Sequence, residues 1–148
     1  MITYGAIVRA FTSTLKKLFP GHKIYSIARA EDMVRPAFFF YLKPVLVEPS
    51  NKHTRRNILS LYVDYHQKVK NEAEMYDAAY KIRDALGWKY KIPEGYINVT
   101  EFDWEFVGKK RDVIEFNITL EYFDTIDDDE HAELIEDVCI DYNLKEEF

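Results

Sequence analysis

Two neighbouring runs show the clearest alternation in the chain. In Asp112–Phe123, the residues Ile114, Phe116, Ile118, Leu120 and Tyr122 fall on one side, and Glu115, Asn117, Thr119 and Glu121 on the other. In Tyr96–Val107, Phe102, Trp104 and Phe106 oppose Glu101, Asp103 and Glu105. Successive strand side chains point to opposite faces, so this period of two predicts half-buried antiparallel strands. Gly108-Lys109-Lys110-Arg111 supplies the turn between them. The resulting hairpin has a dry face and a wet face. A dry face must be covered, and in an antiparallel sheet of this kind helices on one side do it.

The rest of the chain offers those helices and more strands. Residues 2–19 carry Tyr4, Val8, Phe11, Leu15, Leu18 and Phe19 at three- and four-residue steps, with Ile7 beside them, and Pro20-Gly21 ends that helix. His22–Ile27 is short and extended, and Glu31–Arg35 is a polar loop. Ala37–Val47 is a strand, bulged or at a sheet edge because Pro44 has no ladder donor. Pro49–Lys52 is a turn, and Arg55–Gln67 is the returning strand. In it Leu59, Leu61, Val63 and Tyr65 oppose Ser60, Tyr62, Asp64 and His66. Residues 72–86 form a second helix, with Asn71 as N-cap, Glu74 at the capping-box position and Gly87 just past its end. Trp88–Gly95 reads as a loop. Leu134, Ile135, Val138 and Tyr142 fit a short last helix. The fold expected is α+β, a mostly antiparallel sheet with helices packed on one face, in the order α-β-β-β-α-β-β-α. Residues 1–148 form a single domain, with 125–148 an acidic C-terminal extension or short helix.

Charge is unevenly distributed. The chain carries −6 overall, but residues 1–70 sum to +8 and residues 71–148 to −14. A protomer with one basic and one acidic side is suited to head-to-tail contact with its own copies, or to a charged partner. Arg9, Lys16 and Lys17 interrupt the N-terminal apolar pattern, so it does not read as a secretory signal. No run approaches the roughly 18 apolar residues of a membrane span. The expected site of synthesis is the cytoplasm.

Few residues point to chemistry. Cys139 is single, so neither an internal disulfide nor a multi-cysteine metal site can be built. His22, His53, His66 and His131 are scattered, with no pair at ligand spacing. There is no nucleophile elbow, phosphate-binding loop or dinucleotide fingerprint. Asp127–His131 lacks the glycine of a calcium loop and reads as an acidic cap of the last helix. Two clusters remain. Glu101, Asp103, Glu105, Glu115 and Glu121 share the wet face of the last hairpin: a solvated surface, an acidic interaction or lumen surface, or the carboxylates of a metal-dependent nuclease. Lys52, Arg55 and Arg56, with His53, make a basic hairpin tip, and Lys109, Lys110 and Arg111 make a second. Both are short, and the acidic chain argues against direct DNA binding. No catalytic, cofactor-binding or metal residue is assigned.

Several segments together suggest a family. They are the opening helix ending in Phe19-Pro20-Gly21, His22–Ser26, Arg35–Leu42, Asn57–Tyr65 and Phe116–Tyr122. Over roughly residues 2–125 their order resembles the small tail terminator proteins of tailed phages and prophages of Gram-positive bacteria. The resemblance implies a non-enzymatic virion tail protein, assembled in the bacterial host cytoplasm. It implies a ring, typically a hexamer, that sits on the end of the tail tube, stops its polymerisation and offers a surface for joining the head. The implied partners are copies of itself, the tail tube protein and a head completion or connector protein. DNA only passes through, and no membrane or cofactor is involved. The two basic tips become candidates for the subunit or tube interface, and the acidic face for the lumen. Other readings are another head–tail connector or tail completion protein, or a metal-dependent nuclease.

Overall fold

The computed structural model describes residues 2–25, 34–109 and 111–126. The elements are α1 (Tyr4–Leu18), β1 (Lys23–Tyr25), β2 (Ala37–Pro49), β3 (Thr54–His66), α2 (Glu72–Leu86), β4 (Lys89–Ile92), β5 (Gly95–Val107) and β6 (Val113–Thr125). They make one six-stranded sheet in the order β1-β2-β3-β6-β5-β4. Among the described strands only the β1–β2 pair is parallel. The two hairpins, β2–β3 and β5–β6, are joined through β3 and β6, which pair antiparallel from Thr54↔Thr125 to His66↔Val113.

The core is made by the residues that the alternation assigns to it. Leu59, Leu61, Val63 and Tyr65 of β3 and Ile114, Phe116, Ile118, Leu120 and Tyr122 of β6 are buried in one cluster with Ile7, Phe11 and Leu15 of α1 and Met75, Ala79, Ile82 and Leu86 of α2. Phe11 meets Phe40 of β2 edge-on, with ring centroids 5.1 Å apart. Phe19 packs against Phe38, and Tyr76 of α2 against Trp104 and Phe106 of β5. Thr14 of α1 bonds the Tyr90 hydroxyl of β4 at 2.6 Å. Truncating a fully buried ring such as Phe116 to alanine removes about 3–5 kcal/mol.

Both helix starts are capped by side chains. The Thr3 Oγ1 accepts from Ala6 N at 3.0 Å. The Asn71 Oδ1 accepts from Glu74 N, but the reciprocal arm of a capping box is replaced: the Gln67 Oε1 accepts from Asn71 N at 2.9 Å, while Gln67 Nε2 donates to Glu74 Oε2. Gly87 follows α2 at φ +60°, where a side chain is strained.

Three readings need correction or refinement, and a fourth, the irregularity expected at Pro44, is met. Tyr4 and Val8 are exposed and flank the buried stripe of α1, which runs through Ile7, Phe11 and Leu15. Trp88–Gly95 is not all loop: Lys89–Ile92 forms β4 and pairs with Gly95–Asn98, so a third strand follows α2. Its four residues are too few for a periodicity signal, and Pro93 and Gly95 make the stretch look like a turn. β5 changes phase, because a bulge between Val99 and Glu101 switches the core-facing set from Ile97 and Val99 to Phe102 and Phe106. β2 is bulged between Pro44 and Leu46, where Pro44 cannot donate to the ladder. The expected last helix lies outside the described residues.

Candidate functional site

The register of the sheet gathers the wet-face residues into rows. Asp64 of β3 stands opposite Glu115 of β6, which stands opposite Glu105 of β5. The next row holds Tyr41, Tyr62, Asn117 and Asp103, and the one after it Lys43, Ser60, Thr119 and Glu101. Thus Glu101, Asp103, Glu105 and Glu115 do lie together. Glu121 is further along β6 and is engaged by Arg56 at 3.1 Å. A groove of about 260 Å³ runs between Asp103, Glu105, Glu115 and Asn117.

Asp64 is the member that the hairpin pattern did not supply. Its parity was legible, but only the β3–β6 pairing brings it to Glu115. Partial burial, then the charge of Glu115 and a hydrogen bond with it, push the Asp64 carboxyl up to about 6. Like charges on facing strands repel, so one of the pair holds its proton more readily. The Asp64 Oδ1 and Asn117 Oδ1 atoms are buried without a hydrogen-bond partner. Tyr41 and Tyr62 stack beside them, centroids 5.1 Å apart. The Tyr41 hydroxyl is raised by burial and by the neighbouring Tyr62, Glu115 and Asp64. Among the described residues, no three His, Cys, Asp or Glu side chains converge as metal ligands. The face is a field of negative charge that repels phosphate.

The basic residues are arranged otherwise than a single patch. The β2–β3 tip and the β5–β6 turn lie at opposite ends of the sheet, because β3 begins beside the end of β6. The Arg55 guanidinium holds Asp124 with two bonds, at 3.1 and 2.7 Å. Asp124 also accepts from Asn57 Nδ2 at 3.0 Å. Arg56 bridges Glu48 and Glu121. These partners draw both arginine side chains back onto the chain, whereas Lys52 stands exposed at the tip. Lys109 and Arg111 are exposed in the β5–β6 turn, where Arg111 adopts φ +51°. Lys110, Asp127–His131 and Cys139 lie outside the described residues. A further ion pair, Arg35 to Asp112 at 3.2 Å, ties the chain before β2 to the start of β6. Sequence spacing carries no signal for it, since 77 positions separate the pair.

Comparison with known proteins places this sheet. One solved structure aligns with 86% of this chain and 98% of its own at TM-score 0.50 and 12% identity, a likeness of fold. A search of curated proteins finds no match. The family model described as "Phage tail terminator protein" matches residues 6–132, which takes in α1 from Ala6 on, α2 and the six described strands. The chain belongs to the phage tail terminator protein family.

Proposed function

We propose that this protein assembles as a ring, six subunits in the family's usual form, on the end of a phage tail tube, where it stops polymerisation and presents the surface that the head joins. No chemistry is performed. The observation that carries the reading is the row of Asp64, Glu115 and Glu105, with Asp103 and Glu101 alongside, on the wet side of a sheet whose other side is core. Turned to the bore of the ring, such a face repels the phosphate backbone and lets DNA slide. A basic bore would hold it through many phosphate contacts. The tube protein and a head completion protein are the partners.

The test is tube growth in vitro. Purified tube protein polymerising on its initiator should stop when this protein is added, and the tubes should then bear head-joining activity. Growth that continues unaltered overturns the reading. So does stoichiometric Mg²⁺ or Mn²⁺ binding coupled to DNA cleavage, which would instead make the carboxylate row a nuclease centre.

A further inference from the structure

Among the described residues the sheet has two unfinished edges. β1 covers β2 only from Ala37 to Phe39, and β4 covers β5 only from Gly95 to Asn98. No described strand pairs with the outer side of β2 beyond Phe39 or of β5 from Thr100 to Val107, Val99 N donating to Trp88 O at 2.9 Å. An open strand edge is a template for another strand. Both edges also expose apolar side chains, on β5 alongside the carboxylates Glu101, Asp103 and Glu105. Val45 and Val47 on β2 are 57% and 49% exposed, and Val47 lies beside Tyr4 in a shallow groove. Beside the open part of β5, Tyr76, Tyr80, Trp88, Phe102 and Trp104 line a groove of about 420 Å³, with Tyr80 64% and Trp88 62% exposed.

We propose that β2 of one copy pairs antiparallel with β5 of the next, continuing the sheet from subunit to subunit with a stagger of about four residues. This deepens the ring reading and rests on it. Direction agrees: β2, β3, β6 and β5 alternate, so β5 of a copy set alongside in the same orientation runs antiparallel to β2. The stagger follows from the caps. β1 blocks one end of β2, and β4 blocks the opposite end of β5, so the open stretches are diagonal. Flush copies would set Lys43 against Glu101, its own cross-sheet row, and set Phe39, already covered by β1, against Glu105. A slip of about four residues clears both caps and sets Lys43 against Glu105. The same slip sets Val47, past its bulge, against Phe102 and the aromatic groove. Charge and apolar surface then match together. About one residue of stagger per strand is also what gives closed barrels their roughly 35–45° strand tilt. The contact is heterologous, so copies can close into a ring.

Cysteine cross-linking in a Cys139→Ser background tests this. Oxidised Lys43→Cys, Glu105→Cys protein at millimolar concentration should give a covalent ladder reaching a closed oligomer, while Lys43→Cys alone gives none. Linking by Lys43→Cys alone would reveal a two-fold β2–β2 contact and overturn the proposal. Preferential linking of Lys43→Cys with Glu101→Cys would overturn the stagger, and no link with either partner would overturn the pairing. A charge swap checks the same pair without a bond. Lys43→Glu and Glu105→Lys should each weaken self-association about tenfold, and the two together should restore it. Unchanged association in both single variants counts against the contact. Tube capping by the wild type separates the two claims. Capping without the ladder sinks this joint alone, and a ladder without capping sinks the tail role alone.

Discussion

Replacing Asp64 with asparagine should stabilise the protein above neutrality and do little in acid. In the folded chain this carboxyl titrates at about 6, against 3.8 in the ordinary state, because of burial first and then Glu115. Between those values the native state keeps a proton that the unfolded chain has released. Stability therefore falls as pH rises through about 4 to 6 and stays low above it. Two pH units correspond to at most about 3 kcal/mol at 1.36 kcal/mol each. Water reaches the part-exposed carboxyl and screens this to about 1 kcal/mol. Asparagine has the same shape, carries no charge, and can donate to Glu115. Urea unfolding of both proteins from pH 4 to pH 8 reads the difference, and titrations common to both cancel. The variant should gain about 1 kcal/mol by pH 8 and nothing at pH 4. A difference that does not vary with pH, or a variant less stable at pH 8, would refute the Asp64–Glu115 argument.

Other perturbations follow from the same contacts. Asp124→Ala should cost about 1–3 kcal/mol in urea unfolding, more than Arg55→Ala, because it also strips a bond from the buried Asn57. Asn71→Ala should cost about 1 kcal/mol in the same assay by uncapping α2. Gly87→Ala should lower the midpoint rather than raise it, since φ +60° strains alanine. Lys52→Glu should leave the melting temperature within a degree or two while Arg55→Glu lowers it, because only the latter puts a carboxylate against Asp124. Asp103→Lys with Glu115→Lys should still give tails of normal length but slow DNA passage in a salt-dependent way; tails of abnormal length would put these residues at the tube contact.

What the sequence made legible was local. Period-two runs identified the faces of β3 and β6, and the Asn71–Glu74 spacing and Gly87 bounded α2 to the residue. Periodicity erred where a phase changes or a segment is brief: the β5 bulge, the four residues of β4, and Tyr4 and Val8 at the margin of the α1 stripe. Pairing was not legible at all. Nothing in the order of strands tells that β3 lies beside β6, yet that neighbourhood joins Asp64 to Glu115 and Arg55 to Asp124. For that reason the acidic face was recognisable as the wet side of one hairpin, but its third strand was not. The basic residues looked like one kind of surface because sequence does not say that Arg55 and Arg56 turn back onto acids of β2 and β6.

The tail role itself is tested most directly by electron microscopy of finished tail tubes mixed with this protein. The account predicts one ring of protein at one end of each tube, the end where growth stops, with the sides bare. Protein decorating the tube sides, or none bound at any concentration, would contradict it.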